Sequence, residues 1–379
     1  IMNLSSHRAH HKWISVIICF ILLYFSGCRQ FDIQKADTAD ISLCHKYEPY
    51  FSLGVAVEPA HLSKVDQIIQ FHFNRLTAEN SMKFNAIHPA AGRYDFGSAD
   101  IIADYARKHK MTMTGHTFVW HRHQPSWLFG GLTPGNTRDI ETLKSALKDH
   151  IETLIDRYDD VVDNWDVVNE AISDTAGKTY RDGSEGSEWY RIFQSEEYIY
   201  WAFKYAGDAL AARGSDAALY YNDFNVAVPS KLDKILSMVN WLRAKGVRID
   251  GIGLQGHWKL EWPPISDIRS AIQTISAAGL EVKISELDIS IYTDDDWSAQ
   301  TWEAQKAFTE QLAAWQAERY KELFMLFKAN SGRISSVTVW GVSDDDTWLD
   351  SHPTKRNDFP LLFDDNHKPK LAYYVIVDF

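Results

Sequence analysis

The sequence predicts an α/β chain folded as a single (β/α)8 TIM barrel, and three observations carry the prediction. Eight short β-rich runs recur between residues 50 and 343, segments of helical size and patterning separate them, and polar or aromatic residues gather at the C-terminal ends of the runs. A doubly wound open sheet is the alternative, but it needs a switch point and usually has fewer strands.

In chain order the predicted strands are YFSLGVAV (50–57), FNRLTAEN (73–80), MTMTGHTFVW (111–120), VVDNWDVVNE (161–170), AALYYND (217–223), VRIDGIGLQG (247–256), EVKISELD (281–288) and ISSVTVWGVS (334–343). Between them DIETLKSALKDHIETLIDRY (139–158), YIYWAFKYAGDALAARG (198–214) and KLDKILSMVNWLRAKG (231–246) repeat apolar residues at helical spacing. The last two end in Gly, the residue that most readily takes the left-handed conformation closing a helix. No GxGxxG or GxxxxGK[ST] loop follows a strand, which removes the simplest nucleotide-binding case.

A chain of 379 residues with 45% in the hydrophobic set can bury one large core or two modest ones. The absence of a Pro/Gly-rich linker or a second composition regime after residue 48 makes 48–379 one domain. The net charge of -12 argues against a nucleic-acid partner. The 14 Trp and 17 Tyr suit a large core or a sugar-binding cleft equally well, since both side chains join a flat apolar face to a polar edge.

The N-terminal stretch IMNLSSHRAHHK carries Arg8 and Lys12, and the apolar run WISVIICFILLYF (13–25) that follows is too short for a comfortable membrane span. The ending FSGC resembles a bacterial lipoprotein signal, although Phe25 is unusual at its first position. Residues 1–28 are therefore expected to be a lipoprotein-type signal with Cys28 lipidated, the chain being exported to the cell surface or periplasm. A simple cleaved signal, which would give a secreted protein, or a retained anchor are the alternatives. Residues 29–47 read as a tether or an early helix. Only Cys44 lies beyond the signal, so no intrachain disulfide is expected in the mature domain.

Chemistry in a (β/α)8 barrel sits at the C-terminal ends of the strands. Those ends carry Glu79 and Asn80; His116, Trp120 and His121; Asn169 and Glu170; Asn222 and Asp223; Gln255 and His257; Glu286 and Asp288; and Trp340. Glu170 closes the aliphatic run WDVVNEAI and Glu286 lies in ISELD, so both can reach the bowl above the barrel. Two carboxylates facing across a cleft are the equipment for cleaving a glycosidic bond: one protonates the leaving oxygen, and the other attacks or activates water. A separation of about 5–5.5 Å gives retention and about 6.5–9.5 Å gives inversion. Salt bridges at the rim are the bland alternative. A metal held by His116, His121, His257, Glu170 and Glu286 is another, but no HExxH-like spacing supports it, and no metal or cofactor is expected.

Seven motifs, LTAENSMKF (76–84), HTFVWH (116–121), WDVVNEAI (165–172), YYNDFN (220–225), GIGLQGHW (251–258), ISELDIS (284–290) and VWGVSDDDTW (339–348), together resemble the glycoside hydrolase family 10 xylanases over residues 50 to the C-terminus. The resemblance implies a retaining endo-β-1,4-xylanase with Glu286 as nucleophile and Glu170 as acid/base. It implies that Asn169 binds the 2-hydroxyl of the sugar beside the scissile bond. It implies too that His257, with Asp288, holds Glu286 in its attacking rotamer and favours its charged form. On the donor side it places Glu79, Asn80 and Lys83 on sugar hydroxyls, His116, Trp120 and His121 around the donor sugars, Gln255 near the nucleophile, Trp340 and Trp348 as floor or lid, and Asn222 beyond strand five.

Two departures stand out. WHRHQPSW (120–127) has Arg122 and His123 where the family commonly reads Ser-Gln, and Ala78 replaces a common Pro. The first puts a donor-side hydrogen bond in doubt. The implied partners are xylan or xylo-oligosaccharides, with no nucleic acid, a lipid anchor to a membrane, and a monomeric chain. Bulky Trp340 and Trp348 would exclude the C6 hydroxymethyl of glucose, so a β-1,4-glucanase or mixed activity is the second reading. A non-catalytic surface glycan-binding protein is the third; it predicts loss of a carboxylate or of the groups orienting it, and both carboxylates are present with Asn169 and His257.

Overall fold

Strand formation follows the alternation in the eight runs, because one set of side chains packs outward against helices while the other fills the barrel interior. The computed structural model describes residues 41–293 and 302–379. Its barrel strands are β1 (Ser52–Val57), β2 (Arg75–Ala78), β3 (Thr112–Trp120), β4 (Val162–Asn169), β5 (Ala218–Asp223), β6 (Gly251–Leu254), β7 (Glu281–Ser290) and β8 (Ile334–Val339). Each pairs in parallel with the next, and β8 closes on β1 through Ser52↔Ser336 to Val55↔Val339. A short strand, His257–Lys259, extends the sheet by pairing His257 with Asp288 at the end of β7.

The three predicted helices appear as Thr137–Tyr158, Glu197–Arg213 and Pro229–Ala244. The first starts where Asn136 accepts bonds from the Arg138 and Asp139 N–H groups, which the helix itself leaves unpaired. The second stops at Gly214, in the left-handed region at φ 68. Their apolar stripes, including Leu147, Ile151, Leu154, Phe203, Leu210 and Ile235, are fully or almost fully buried.

The barrel interior is polar. Lys283 on β7 reaches Asn164 and Asp166 on β4, both at 2.8 Å. Since β5 and β6 separate these strands, the bonds cross the barrel itself. Buried charges persist only when paired, and Asp166 is held between Lys283 and His116.

The folded unit begins earlier than the predicted boundary at residue 48. Residues 43–47, expected within a tether or early helix, form the helix Leu43–Tyr47, capped by Ser42. Leu43 and Tyr47 are fully buried, and the Tyr47 hydroxyl donates to the Ile376 carbonyl at 2.6 Å. An apolar pair four residues apart is enough to dock one turn of helix against the barrel. The signal expected over 1–28, with Cys28, and most of the tether expected over 29–47 lie outside the described residues.

Candidate active site

The site is built from the upper ends of β2 to β8. β4 ends at Asn169, and Glu170 turns out of the ladder with φ 56, a left-handed backbone uncommon for a residue with a Cβ. This turn aims its carboxyl into the bowl. Oε1 accepts a bond from Gln255 Nε2 at 2.9 Å, and Oε2 accepts one from Trp120 Nε1 at 2.8 Å. Glu286 instead sits within extended β7, and its N–H donates to the Gln255 carbonyl at 2.6 Å. Its Oε1 accepts a bond from Asn222 Nδ2 at 2.6 Å, and its Oε2 lies 3.1 Å from His257 Nε2.

Two amides join these carboxylates. Asn222 Nδ2 donates to Asn169 Oδ1 at 2.9 Å as well as to Glu286, and Gln255 Nε2 reaches Asn169 Oδ1 at 3.3 Å as well as Glu170. Asn222, completely buried, is thus the centre of the site rather than its edge. Ser285 Oγ fixes it by donating to its Oδ1 at 2.6 Å. Gly253 stands opposite on β6, where a Cβ would come within 2.2 Å of that oxygen. The two carboxylates keep a small exposed fraction, 9% for Glu170 and 5% for Glu286, enough to meet a ligand in the bowl.

Charge is concentrated behind Glu286. His257 Nδ1 lies 2.8 Å from Asp288 Oδ2, which also accepts Trp348 Nε1 at 2.9 Å. Burial pulls the imidazole's pKa down, but the Asp288 charge and hydrogen bonds with Asp288 and Glu286 outweigh it and push the pKa up to about 10. His257 is therefore a cation at neutral pH, with an N–H for each carboxylate.

The remaining predicted residues fall into two groups. On the bowl wall, Lys83 Nζ donates to Asn80 Oδ1 at 2.9 Å and lies 4.9 Å above the Trp120 ring. Burial lowers the Lys83 pKa, against the opposite pull of Glu286, Glu79 and Glu170. Burial raises that of Glu79, against Lys83. His123 stacks on Trp120 with centroids 5.1 Å apart and planes 10° from parallel, so this departure from the family motif touches the site directly. His121 Nδ1 is 3.8 Å from Glu170 Oε2, too far for a hydrogen bond. Burial, with the charges of Arg181 and Arg122, pushes its pKa down to about 3 and leaves it neutral.

Below the wall, His116 is 2% exposed and bonds Asp166 Oδ2 at 3.0 Å. It touches the edge of Trp340 at 5.5 Å, and its Nδ1 is taken by Asp166. Trp340 is likewise buried, whereas Trp348 packs on the His257 ring at 4.8 Å. Asp223 is fully buried beside Lys231, 3.2 Å away, and does not face the bowl with its neighbour Asn222. Among the described residues, no group of three or more His, Cys, Asp or Glu side chains is arranged to hold a metal ion.

Sequence reading missed Ser285 and Arg181, whose Nε donates to the Glu170 carbonyl at 3.1 Å. Ser285 sits inside a recognised motif, so its neighbours pointed to it; Arg181 lies in a loop without periodicity and carried no signal.

Comparison with known proteins agrees with this geometry. The family model described as glycosyl hydrolase family 10 matches residues 42–379. The chain is similar to a β-1,4-xylanase of Dictyoglomus thermophilum, with 40% identity over 98% of this chain and 99% of that one. The solved structure of an endo-1,4-β-xylanase from Caldicellulosiruptor owensensis has a TM-score of 0.80 at 42% identity, covering 89% of this chain and 99% of the other. A mutant structure in complex with xylotriose has a TM-score of 0.80 at 39% identity, covering 89% and 100%.

Proposed function

The chain belongs to glycosyl hydrolase family 10, and from that premise we infer that it hydrolyses internal β-1,4-xylosidic bonds of xylan with retention at the anomeric carbon. The observation that carries the assignment of roles is the single hydrogen-bonded network linking Glu170 and Glu286 through Asn169, Asn222 and Gln255.

In this reading Glu286 attacks the anomeric carbon while protonated Glu170 gives its proton to the departing glycosidic oxygen. The C–O bond to the leaving sugar breaks and a glycosyl ester to Glu286 forms. The ester carries no negative charge, so the repulsion that opposed a second carboxylate is gone. Glu170, now ionised, takes a proton from water; the hydroxyl attacks the same carbon, and Glu286 leaves as a carboxylate. His257, charged and braced by Asp288, fixes the Glu286 rotamer throughout.

Asn169 Oδ1 is occupied by two amide donors, while its Nδ2 makes only a 3.4 Å contact to Glu170. That N–H is the donor left for the sugar 2-hydroxyl. Glu79, Asn80 and Lys83 are assigned to the next donor-side sugar, on the support of the Lys83–Asn80 bond and the packing of Lys83 on Trp120.

The test is hydrolysis of arabinoxylan against carboxymethylcellulose by residues 29–379, with product length and anomeric configuration followed by NMR. β-Configured xylo-oligosaccharides, absent with Glu286→Ala, are expected. α-Configured products would overturn retention, and preferential glucan cleavage would overturn the substrate. Export and lipidation at Cys28 are proposed on the sequence of residues 1–28 alone, and incorporation of labelled palmitate that survives Cys28→Ala would refute them.

A further inference from the structure

Glu170 has a structural problem that Glu286 does not share. Glu286 keeps an extended backbone within β7, although the register with β8 shifts between Ile284 and Leu287, whereas Glu170 stands just past β4 with its backbone in the left-handed region. Its N–H still bonds the neighbouring strand β5, so it is the carbonyl side that something outside the ladder must hold, because that orientation decides where the carboxyl points.

The structure supplies bonds on both sides of the turn. The Glu170 N–H donates to the Asn222 carbonyl at 2.9 Å, and its carbonyl accepts Arg181 Nε at 3.1 Å. Two residues on, the Ile172 N–H donates to Tyr221 Oη at 2.9 Å and the Ile172 carbonyl accepts Lys231 Nζ at 2.9 Å. The segment also pairs with the returning chain, the Arg181 N–H donating to the Ala171 carbonyl at 2.8 Å and Ser173 N–H to the Thr179 carbonyl at 2.9 Å.

The side chains that make these bonds form one connected cluster of ion pairs. Arg181 lies 3.8 Å from Asp174, Asp174 is 2.9 Å from Lys231, and Lys231 is 3.2 Å from Asp223, which accepts the Tyr221 hydroxyl. Two cations face two carboxylates, and the Lys231 and Asp223 side chains are almost wholly removed from water. Burial pushes the Asp223 carboxyl up to about 7 against the pull of Lys231, with the Glu170 charge adding to the rise. None of the bonds from this cluster reaches the Glu170 carboxyl itself; all of them grip backbone.

We infer that Arg181 is a positioning residue for Glu170, fixing the left-handed peptide through its bond to the Glu170 carbonyl so that the carboxyl meets the glycosidic oxygen. The Asp174–Lys231–Asp223 cluster anchors Arg181 and the two residues that follow Glu170. The inference rests on Glu170 being the acid/base. A displacement of about 1 Å in a catalytic group can cost about 10²-fold in rate.

The test exploits what an acid does and a nucleophile does not. A substrate whose leaving group departs without a proton, such as 2,4-dinitrophenyl β-xylobioside, does not need Glu170 during the first step, which kcat/KM reports; xylopentaose does. Arg181→Met is expected to lower kcat/KM on xylopentaose about 10–100-fold and on the dinitrophenyl substrate less than about 3-fold. Arg181→Lys, which keeps the charge without the planar Nε–H, should show the same split at smaller size, and it serves alone if the Met variant does not fold. Equal losses on both substrates, or no loss on either, overturn the inference. Glu170→Ala run in parallel separates the two levels. If it shows the split and the Arg181 variants do not, only the positioning role falls. If it shows none, the acid/base assignment falls and takes the inference with it.

Discussion

Glu286 and Glu170 share a side chain and a cleft but are held by opposite means. Glu286 lies within extended β7, where the register against β8 shifts between Ile284 and Leu287, and faces a cation, His257, itself braced by Asp288. Glu170 lies beyond its strand, faces the neutral donors Gln255 and Trp120, and has its N–H held by β5 but its carbonyl held by Arg181 of the following loop. The difference matches the roles proposed for them. A nucleophile must enter the first step as an anion in one rotamer, which a rigid strand and a permanent charge provide. An acid that becomes a base must function in two protonation states, and neutral donors interact with either without binding one of them overwhelmingly.

The strongest way to break this comparison is to delete each carboxylate. Glu286→Ala is expected to lower kcat on the order of 10⁵-fold on every substrate, since no covalent intermediate can form. Glu170→Ala should lower kcat/KM for xylan about 10²–10⁴-fold, the usual share of a general acid, while sparing dinitrophenyl xylobioside. Initial rates on both substrates decide it, and matching losses for the two variants on the two substrates would show that the sides are not distinct.

The next largest effect concerns the cation. His257→Gln leaves buried Asp288 without its charged partner, a loss of roughly 1.5–3 kcal/mol, or about 10–100-fold in kcat/KM. Because His257 acts through Glu286, activated and unactivated substrates should suffer alike. A loss confined to xylan would move His257 to the acid/base side.

The same residue gives a pH signature of stability. In the fold His257 keeps its proton up to about pH 10, whereas an unfolded histidine loses it near about 6.5. The raised value means that its contribution is fully present below about pH 6.5 and disappears as pH rises through about 10, amounting to at most about 5 kcal/mol. Thermal midpoints should fall across that window in the parent and fall less in His257→Gln. Parallel curves would remove the cation from the nucleophile's side.

These contrasts were unequally legible in the sequence. The eight strands could be read because buried aliphatic residues recur at alternate positions, as in Val282, Ile284 and Leu53, Val55. The two carboxylates could be read because each interrupts such a run where a barrel places its chemistry. What supports Glu170 could not. Arg181 reaches the Glu170 carbonyl only because the loop folds back on itself at Ile172↔Tyr180, and no spacing announces that return. The Leu43–Tyr47 helix is a single turn, too short to show a period. The His116–Asp166 bond joins β3 to β4, and no pattern within either strand announces the pairing. Local pattern reports strand ends well; it does not report which groups meet across a barrel.

The smallest expected effect tests how far the nucleophile's side extends. Trp348 Nε1 donates to the same Asp288 oxygen that faces His257, while its ring packs on the imidazole. Trp348→Phe removes the N–H and keeps most of the aromatic surface. The net value of one such bond is about 0.5–1.5 kcal/mol, so kcat/KM should fall about 2–10-fold. If Trp348 serves the chain Asp288–His257–Glu286, the loss should be equal for xylopentaose and dinitrophenyl xylobioside, and KM for xylobiose-based substrates should move little. A change in KM alone would instead make Trp348 a sugar platform whose bond to Asp288 is incidental to the chemistry. The nucleophile's charged support would then end at Asp288, one residue short of the loop after β8.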